Sequence, residues 1–417
     1  MSNFPIKKPG TIRLIAAADL HLGRRISVPE VVENSFLTPE GAWENLVDLV
    51  SDPDSGVDAL LLAGDIFDKE EDILEAPYFF EMGLRKLEHE HKPVIAIAGN
   101  HDWRSLRKRQ RLLNFSHVHV LGLKDVWESC DLEFGSRTIR FEGWSFPSSQ
   151  YWKNPLDLLP PISSGVTSIG LLHGDWEGTQ GSPYAPFSVK QLIASGRQAW
   201  VLGHIHIPKI LSKDPFIISC GSLQGLDSSE QGERGAWLID IDAQGELHVQ
   251  MIPLAALRWE TVSLDITGLK EEDYESVLQK KVEKNLRASL KCISLEVIWK
   301  GQINDPMKKE ALKRLEGSYF HLKSPTGFVD CHLRKSSLDL RPSIDLNILA
   351  QEQSLIGQVA KQILQLENQE EQARLQELFA KESSNYPHLA LDFDLKELQL
   401  QGYEMLFDLL AQRGEPG

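Results

Sequence analysis

ALLLAGDIFD, residues 59–68, is a run of five apolar residues that ends in a glycine and then two acids, Asp65 and Asp68. An unbroken apolar run of that length fits a strand buried on both faces, as in a parallel sheet covered by other layers. Alone it says little, because a Gly-Asp pair is usually a turn. The form recurs, however. RLIAAAD (13–19), PVIAIAGN (93–100), SIGLLHGD (168–175) and AWVLGHIH (199–206) are also apolar runs that end in Gly, Asp, Asn or His. Polar residues just past the carboxyl ends of such strands are where ligand sites form in α/β sheets. PEGAWENLVDLVSD (39–52) and APYFFEMGLRKLEHEH (76–91) have helical spacing and read as crossovers between these strands.

Around this core the chain runs to 417 residues, enough for two or three domains. VHVLGL, DLEFGS, TIRFEGWSF, FIISCGS and AWLIDIDAQGELHVQMI read as further strands, and the first domain is expected to span 1–259. From 260 to 340, strand-like and helix-like segments alternate as in a small α+β unit, and 341–417 reads as a helical tail. The four cysteines stand far apart without a CxxC pair, which indicates buried thiols rather than a zinc ribbon or a disulfide framework. No apolar run approaches a membrane span and the N-terminus has no apolar signal core, so a cytoplasmic chain is expected. The net charge of −16 argues against nucleic-acid binding through whole-protein charge, though not against a local basic track.

Five clusters carry the chemistry: Asp19-Leu20-His21, Gly64-Asp65-Ile66-Phe67-Asp68, Gly99-Asn100-His101-Asp102, His173-Gly174-Asp175 and Gly203-His204-Ile205-His206. At a strand end, a D-x-H or H-x-H pair is expected to put both side chains on one side of the backbone, because the strand period is two. Asp, Asn and imidazole without thiolate suit a divalent ion of the manganese, iron or zinc type. A carboxylate that can bridge is what a two-metal site needs. Each piece is weak by itself; the ordered set of five is not.

The set resembles the calcineurin-like metallophosphoesterase superfamily, with its D-x-H, G-D-x-x-D, G-N-H-D/E, H and G-H-x-H blocks in order over roughly residues 11–240. The resemblance implies an α/β fold in which a metallophosphoesterase β-sandwich is flanked by helices and followed by the small α+β capping domain and helical tail. It implies that Asp19, His21 and His206 hold one ion, that Asp65 bridges, and that Asn100, His173 and His204 hold the second. His101 would be the catalytic histidine and Asp68 would orient it, with a metal-activated water as nucleophile. DLHLGRR (19–25), AGNHDWRS (98–105), LGHIHIPKIL (202–211) and GLDSSEQGERGAWLIDI (225–241) are similar to the DNA-repair exonuclease (SbcD-type) branch. That branch implies two Mn²⁺ ions, DNA as substrate in double-strand-break repair, an SbcC-type coiled-coil ATPase that the tail would dock on, and a homodimer as one assembly state.

One feature points to DNA independently. RSLRKRQR (104–111) has five basic residues in eight, directly after His101. Arg104, Arg107, Lys108, Arg109 and Arg111, with Arg24 and Arg25, are candidates to hold backbone phosphates. His117 and His119 are expected to be structural, and Trp103 and Trp176 are more often core or rim than base-stacking residues. Two other readings stand beside the nuclease: a phosphatase or cyclic-nucleotide phosphodiesterase of the same superfamily, and a scaffold that keeps the fold without turnover.

Overall fold

The apolar runs become strands whose two faces are claimed by different layers. In the computed structural model, residues 4–26, 34–69, 75–108, 115–162, 165–178, 181–284, 286, 290–303, 307–324, 327–342, 345–385 and 394–413 are described. β1 (Ile12–Ala17), β2 (Ala59–Ala63), β3 (Val94–Ile97) and β4 (Val118–Val120) are parallel neighbours. β5 (Glu128–Phe134), β6 (Arg137–Trp144), β7 (Thr167–His173), β8 (Ala199–Gly203), β9 (Lys209–Lys213) and β10 (Phe216–Ser219) form a second sheet in the order β5-β6-β7-β8-β10-β9. β11 (Gly235–Ile241) returns antiparallel to β1, and β12 (Leu247–Pro253) pairs with it, so the first sheet reads β12-β11-β1-β2-β3-β4.

Strand period two sorts the side chains between the layers. Ile12, Leu14, Ala16, Ala59, Leu61, Ala63, Ile95 and Ile97 of the first sheet meet Phe141, Ile169, Leu171, Ala199 and Val201 of the second in one core. The alternate residues, Ile15, Ala17, Leu60, Leu62, Val94 and Ala96, face α1 (Pro39–Ser51) and α2 (Glu75–His89) through Trp43, Leu46, Val50, Phe80 and Leu84. On the far side, Trp144, Leu172, Trp200 and Leu202 pack under Phe187 and Leu192. This is a sandwich with helices outside, and it explains why the runs are apolar at every position. α1 starts as its sequence dictates: Thr38 accepts from the Gly41 N–H at 3.3 Å and Pro39 occupies the first turn. The short helices α3 (Trp103–Lys108) and α4 (Val189–Ala194) follow β3 and β7.

The chain divides into two compact units, Met1–Glu260 with Arg287–Ser294, and Thr261–Leu286 with Leu295–Gly417. The second unit holds the 341–417 tail segment together with most of the 260–340 cap segment, while Arg287–Ser294 goes with the first. A sheet β13-β14-β16-β15, from Leu257–Asp265, Cys292–Ile303, Gly327–Pro342 and Tyr319–Ser324 respectively, lies mostly within the second unit. α5 (Tyr274–Glu283) and α6 (Met307–Arg314) bury Leu278, Val282 and Leu312. The tail forms α7 (Leu346–Leu349), α8 (Leu355–Glu367), α9 (Gln369–Asn385) and α10 (Leu395–Arg413). The continuous helical pattern breaks at Asn368, which ends α8 and whose side chain accepts from the Glu370 N–H at 2.8 Å. α10 packs on α8 through Leu406, Leu410, Ile363 and Val359. It also reaches the cap, where Lys309 Nζ lies 5.3 Å from the Phe407 ring. Cys220, Cys292 and Cys331 are buried and all four cysteines are free thiols. No helix among the described residues is long and apolar enough to cross a membrane.

Candidate metal centre

The five motif clusters lie at the carboxyl ends of β1, β2, β3, β7 and β8. Three of these strands belong to one sheet and two to the other, so the two halves of the sandwich contribute to one rim. After the strands end, the β1 and β2 loops stay stitched. The Asp19 N–H donates to Gly64 O at 3.1 Å, His21 N–H to Asp65 O at 3.0 Å, and Leu22 N–H to Ile66 O at 2.9 Å.

The backbone corrects one expectation. Asp19 and His21 are not aimed by the two-residue strand period, for β1 ends at Ala17 and both residues have left-handed backbone, φ 50° and 47°. Asp65 (φ 50°) and His204 (φ 91°) share that conformation. Non-glycine residues held there cost about 1–3 kcal/mol each and persist where the surroundings enforce them. Two glycines serve close approach instead. A Cβ on Gly99 would lie 2.0 Å from Asp65 Oδ1, and one on Gly203 2.2 Å from Ala63 O.

All seven candidate ligands converge. His21 Nε2 and His206 Nε2 are 3.1 Å apart. Asp19 presents Oδ1 at 3.9 Å from His206 Nε2 and 4.0 Å from His173 Nδ1. His173 Nε2 is 3.3 Å from Asp65 Oδ2 and 3.1 Å from Asn100 Oδ1, and His204 Nδ1 is 3.2 Å from the same Asn100 oxygen. Asp65 Oδ2 also lies 3.9 Å from His21 Nε2. It is thus the carboxylate between the two imidazole groups.

The donor set fits cations. His173 Nδ1 donates to Ala63 O at 2.9 Å and His206 Nδ1 to Glu230 Oε1 at 2.7 Å, so each Nε2 keeps its lone pair for the centre. His21 Nδ1 lies 3.3 Å from Asp68 Oδ1, though poorly aligned for a hydrogen bond. Two such Nε2 atoms at 3.1 Å need a proton or a metal ion between them. The carboxylates are buried, and the charges acting on Asp19 come from imidazoles and Asp65, not from Lys or Arg.

Without ions, protons stand in for them. Burial raises Asp19 above the usual carboxylate range against the pull of His206 and His173. Burial also opposes charge on Asp65, but His173, His21 and His101 hold its carboxyl far below that range. His173 is buried, yet Asp65 and Asp19 push it up to about 9. Burial of His206 is likewise outweighed by Glu230 and Asp19, which push it up to about 9. Burial and the His173 charge push His204 down to about 3.

His101 is exposed, and its Nδ1 donates to the main-chain carbonyl of Asp68 at 2.7 Å. The Asp68 carboxylate turns to His21 Nδ1 and, at 3.5 Å, to the Arg24 guanidinium. Orientation of His101 thus comes from the peptide rather than the acid side chain.

Two residues beside the candidate ligands were given no role by sequence reasoning. Asp102 is fully buried and clamps two loops: Oδ2 accepts from Ile66 N–H at 2.7 Å and Oδ1 from Gly99 N–H at 2.7 Å. Burial and the nearby Asp65 charge push it up to about 7. Its place in the G-N-H-D block was the available signal. Glu230 had no strand-end signal at all.

Of the basic candidates, Arg24, Arg25, Arg104, Arg107 and Lys108 are exposed, the last three on α3 beginning two residues after His101. Arg109 and Arg111 lie outside the described residues. Trp103 and Trp176 pack against the core under the second sheet, with Lys209 Nζ 5.7 Å from the Trp176 ring. Burial lowers both His117 and His119, and neither belongs to a candidate metal cluster among the described residues.

At 29% identity over 240 residues, covering 54% of this chain and 57% of the relative, the chain is similar to the uncharacterized metallophosphoesterase YhaO of Bacillus subtilis (strain 168). At 22% identity over 295 residues, 66% of this chain and 63% of the relative, it is similar to the DNA double-strand break repair protein Mre11 of Methanopyrus kandleri. At 22% identity over 325 residues, 72% of this chain and 82% of the relative, it is similar to a subunit of the nuclease SbcCD from Staphylococcus epidermidis. The chain thus spans about three fifths of the length of the first two relatives. The family model for calcineurin-like phosphoesterases matches residues 12–208, the stretch from β1 to just past His206. This chain therefore carries a calcineurin-like phosphoesterase domain.

Proposed function

We propose that the chain is a two-metal phosphodiesterase that cuts DNA, with Mn²⁺ as its ion and a coiled-coil ATPase of the SbcC type as its partner. The observation that carries the reading is Asp65. Its carboxylate lies between the His21–His206 pair and His173, the position a bridging ligand needs. Asp19, His21 and His206 would hold one ion, and Asn100, His173 and His204 the other. When bound, two divalent ions supply Lewis-acid charge to a phosphoryl oxygen and make water a stronger acid.

The chain's own residues do the rest. With the His101 Nδ1 proton fixed on Asp68 O, Nε2 is the atom left for substrate. A protonated ring can give that proton to the leaving oxygen and return to neutral. The exposed cations of α3 and Arg24 lie on the His101 side and suit a polyanion longer than one phosphate. Similarity to Mre11 and to the SbcCD nuclease supports DNA over a small ester. The helical tail is the segment on which the ATPase would dock.

The test is hydrolysis by purified protein with Mn²⁺, comparing linear and hairpin DNA with bis-p-nitrophenyl phosphate and p-nitrophenyl phosphate. Cleavage of DNA is expected. Turnover of the small esters alone, with the ATPase partner also supplied, sinks the nuclease reading and leaves a small-molecule phosphoesterase.

Reversing the charge of Arg104, Arg107 and Lys108 to glutamate is expected to weaken DNA binding. It should also flatten the slope of log affinity against log salt by roughly 0.9 for each phosphate no longer neutralised. Bis-p-nitrophenyl phosphate turnover should stay unchanged. A salt titration of binding reads this out, and an unchanged slope moves the DNA track elsewhere.

A further inference from the structure

Glu230 stands outside all five strand-end motifs, yet its carboxylate touches one of their imidazoles. Oε1 lies 2.7 Å from His206 Nδ1. Oε2 accepts from Ser222 Oγ at 2.5 Å and from the Leu226 N–H at 3.2 Å. The Ser222 N–H in turn donates to His206 O at 3.2 Å. One carboxylate therefore fastens both the ring and the loop that follows β10. The loop is rigid in its own right: Asp227 Oδ1 accepts from Ser229 N–H at 2.8 Å and from Ser229 Oγ at 2.6 Å, and Glu230 N–H donates to Asp227 O at 3.1 Å.

His206 needs such a tether more than its partner does. Its side chain is 28% exposed against 3% for His21, so packing alone does not fix the ring. A neutral imidazole carries its proton on either nitrogen, and only the form with the proton on Nδ1 offers an Nε2 lone pair.

The geometry points to Glu230 as the positioning residue of the Asp19–His21–His206 group: by accepting a hydrogen bond from His206 Nδ1–H it aims Nε2 at the ion, and so governs how tightly that one ion is held. The inference rests on the two-metal reading above. Glu230 touches no substrate in this role. Its loss should lower the affinity of one ion and leave the other intact.

The experiment is calorimetric Mn²⁺ titration of the full chain, wild type against Glu230→Ala and Glu230→Gln. Wild type is expected to bind two ions. Glu230→Ala should weaken one of them ~10–100-fold, the usual effect of removing a hydrogen-bond partner behind a ligating histidine. Its kcat should return in excess Mn²⁺, with KM for the ester unchanged. Glu230→Gln keeps an acceptor oxygen and should lose a few-fold. If Glu230→Ala does not fold, Glu230→Gln decides. Wild-type affinity for both ions in the variant that folds, or equal weakening of both, overturns the inference while leaving the two-metal reading intact. A wild-type chain that binds no Mn²⁺ defeats that reading itself.

Discussion

Asp65→Asn is expected to abolish binding of both ions, and with it turnover, while the fold survives. The substitution keeps the shape and keeps an oxygen to accept the His101 N–H, which Asp65 Oδ1 now does at 2.9 Å. What it removes is the charge on Oδ2, the oxygen between His173 and His21. Two cations held roughly 3.5–4 Å apart repel each other, and a shared anion is what offsets that repulsion. A neutral amide cannot. The metal-free variant should lose some stability, because the charge that His173, His21 and His101 hold on Asp65 is gone, and the relief of the buried Asp102 carboxylate offsets only part of that loss. Elemental analysis gives the metal content. Thermal melts add a second readout, because an ion that binds only the folded state raises Tm with its concentration. In the variant, that rise should vanish. A variant that still carries two ions contradicts the bridging role.

His101→Gln should do the opposite: ions retained, turnover lost. His101 is exposed, and none of the distances that join the seven candidate ligands involves its ring. Its N–H to Asp65 is a main-chain contact that any residue keeps. A lost proton donor costs about 10²–10⁴-fold in rate. The cost should depend on the substrate. An ester with a good leaving group, such as bis-p-nitrophenyl phosphate, needs little protonation and should suffer less than DNA. Equal losses on both substrates would turn His101 into a charge stabiliser rather than an acid. Full activity would remove it from the chemistry.

The elements that position the site were legible in the sequence because they are buried on both faces. No position in Ile12–Ala17 or Ala59–Ala63 faces solvent, so the apolar signal is unbroken and ends abruptly at the rim. The candidate ligands stood out for the same reason: an Asp or His at the end of such a run has no hydrophobic excuse. How they are aimed could not. Left-handed backbone at Asp19, His21 and Asp65 is set by loop-to-loop hydrogen bonds across the sheet, and nothing local in those residues announces it. Asp68 and His101 show the same limit, since a main-chain carbonyl carries no sequence identity. Short or amphipathic pieces, such as β9, α4 and β15, were hidden because they owe their form to neighbours. Glu230 was hidden for a different reason: its partner His206 is 24 residues earlier in the chain.

The rim draws from both sheets, and His21 and His206 are 185 residues apart along the chain. An ion gripped by that pair is a cross-link. It closes most of the first unit into one loop, and much of the effect of such a closure falls on the unfolded chain, whose freedom it removes. Under the two-metal proposal the ions would be a clasp on the sandwich as well as reagents. The lifetime of the protein and its rate of turnover would rise and fall together with the ion supply.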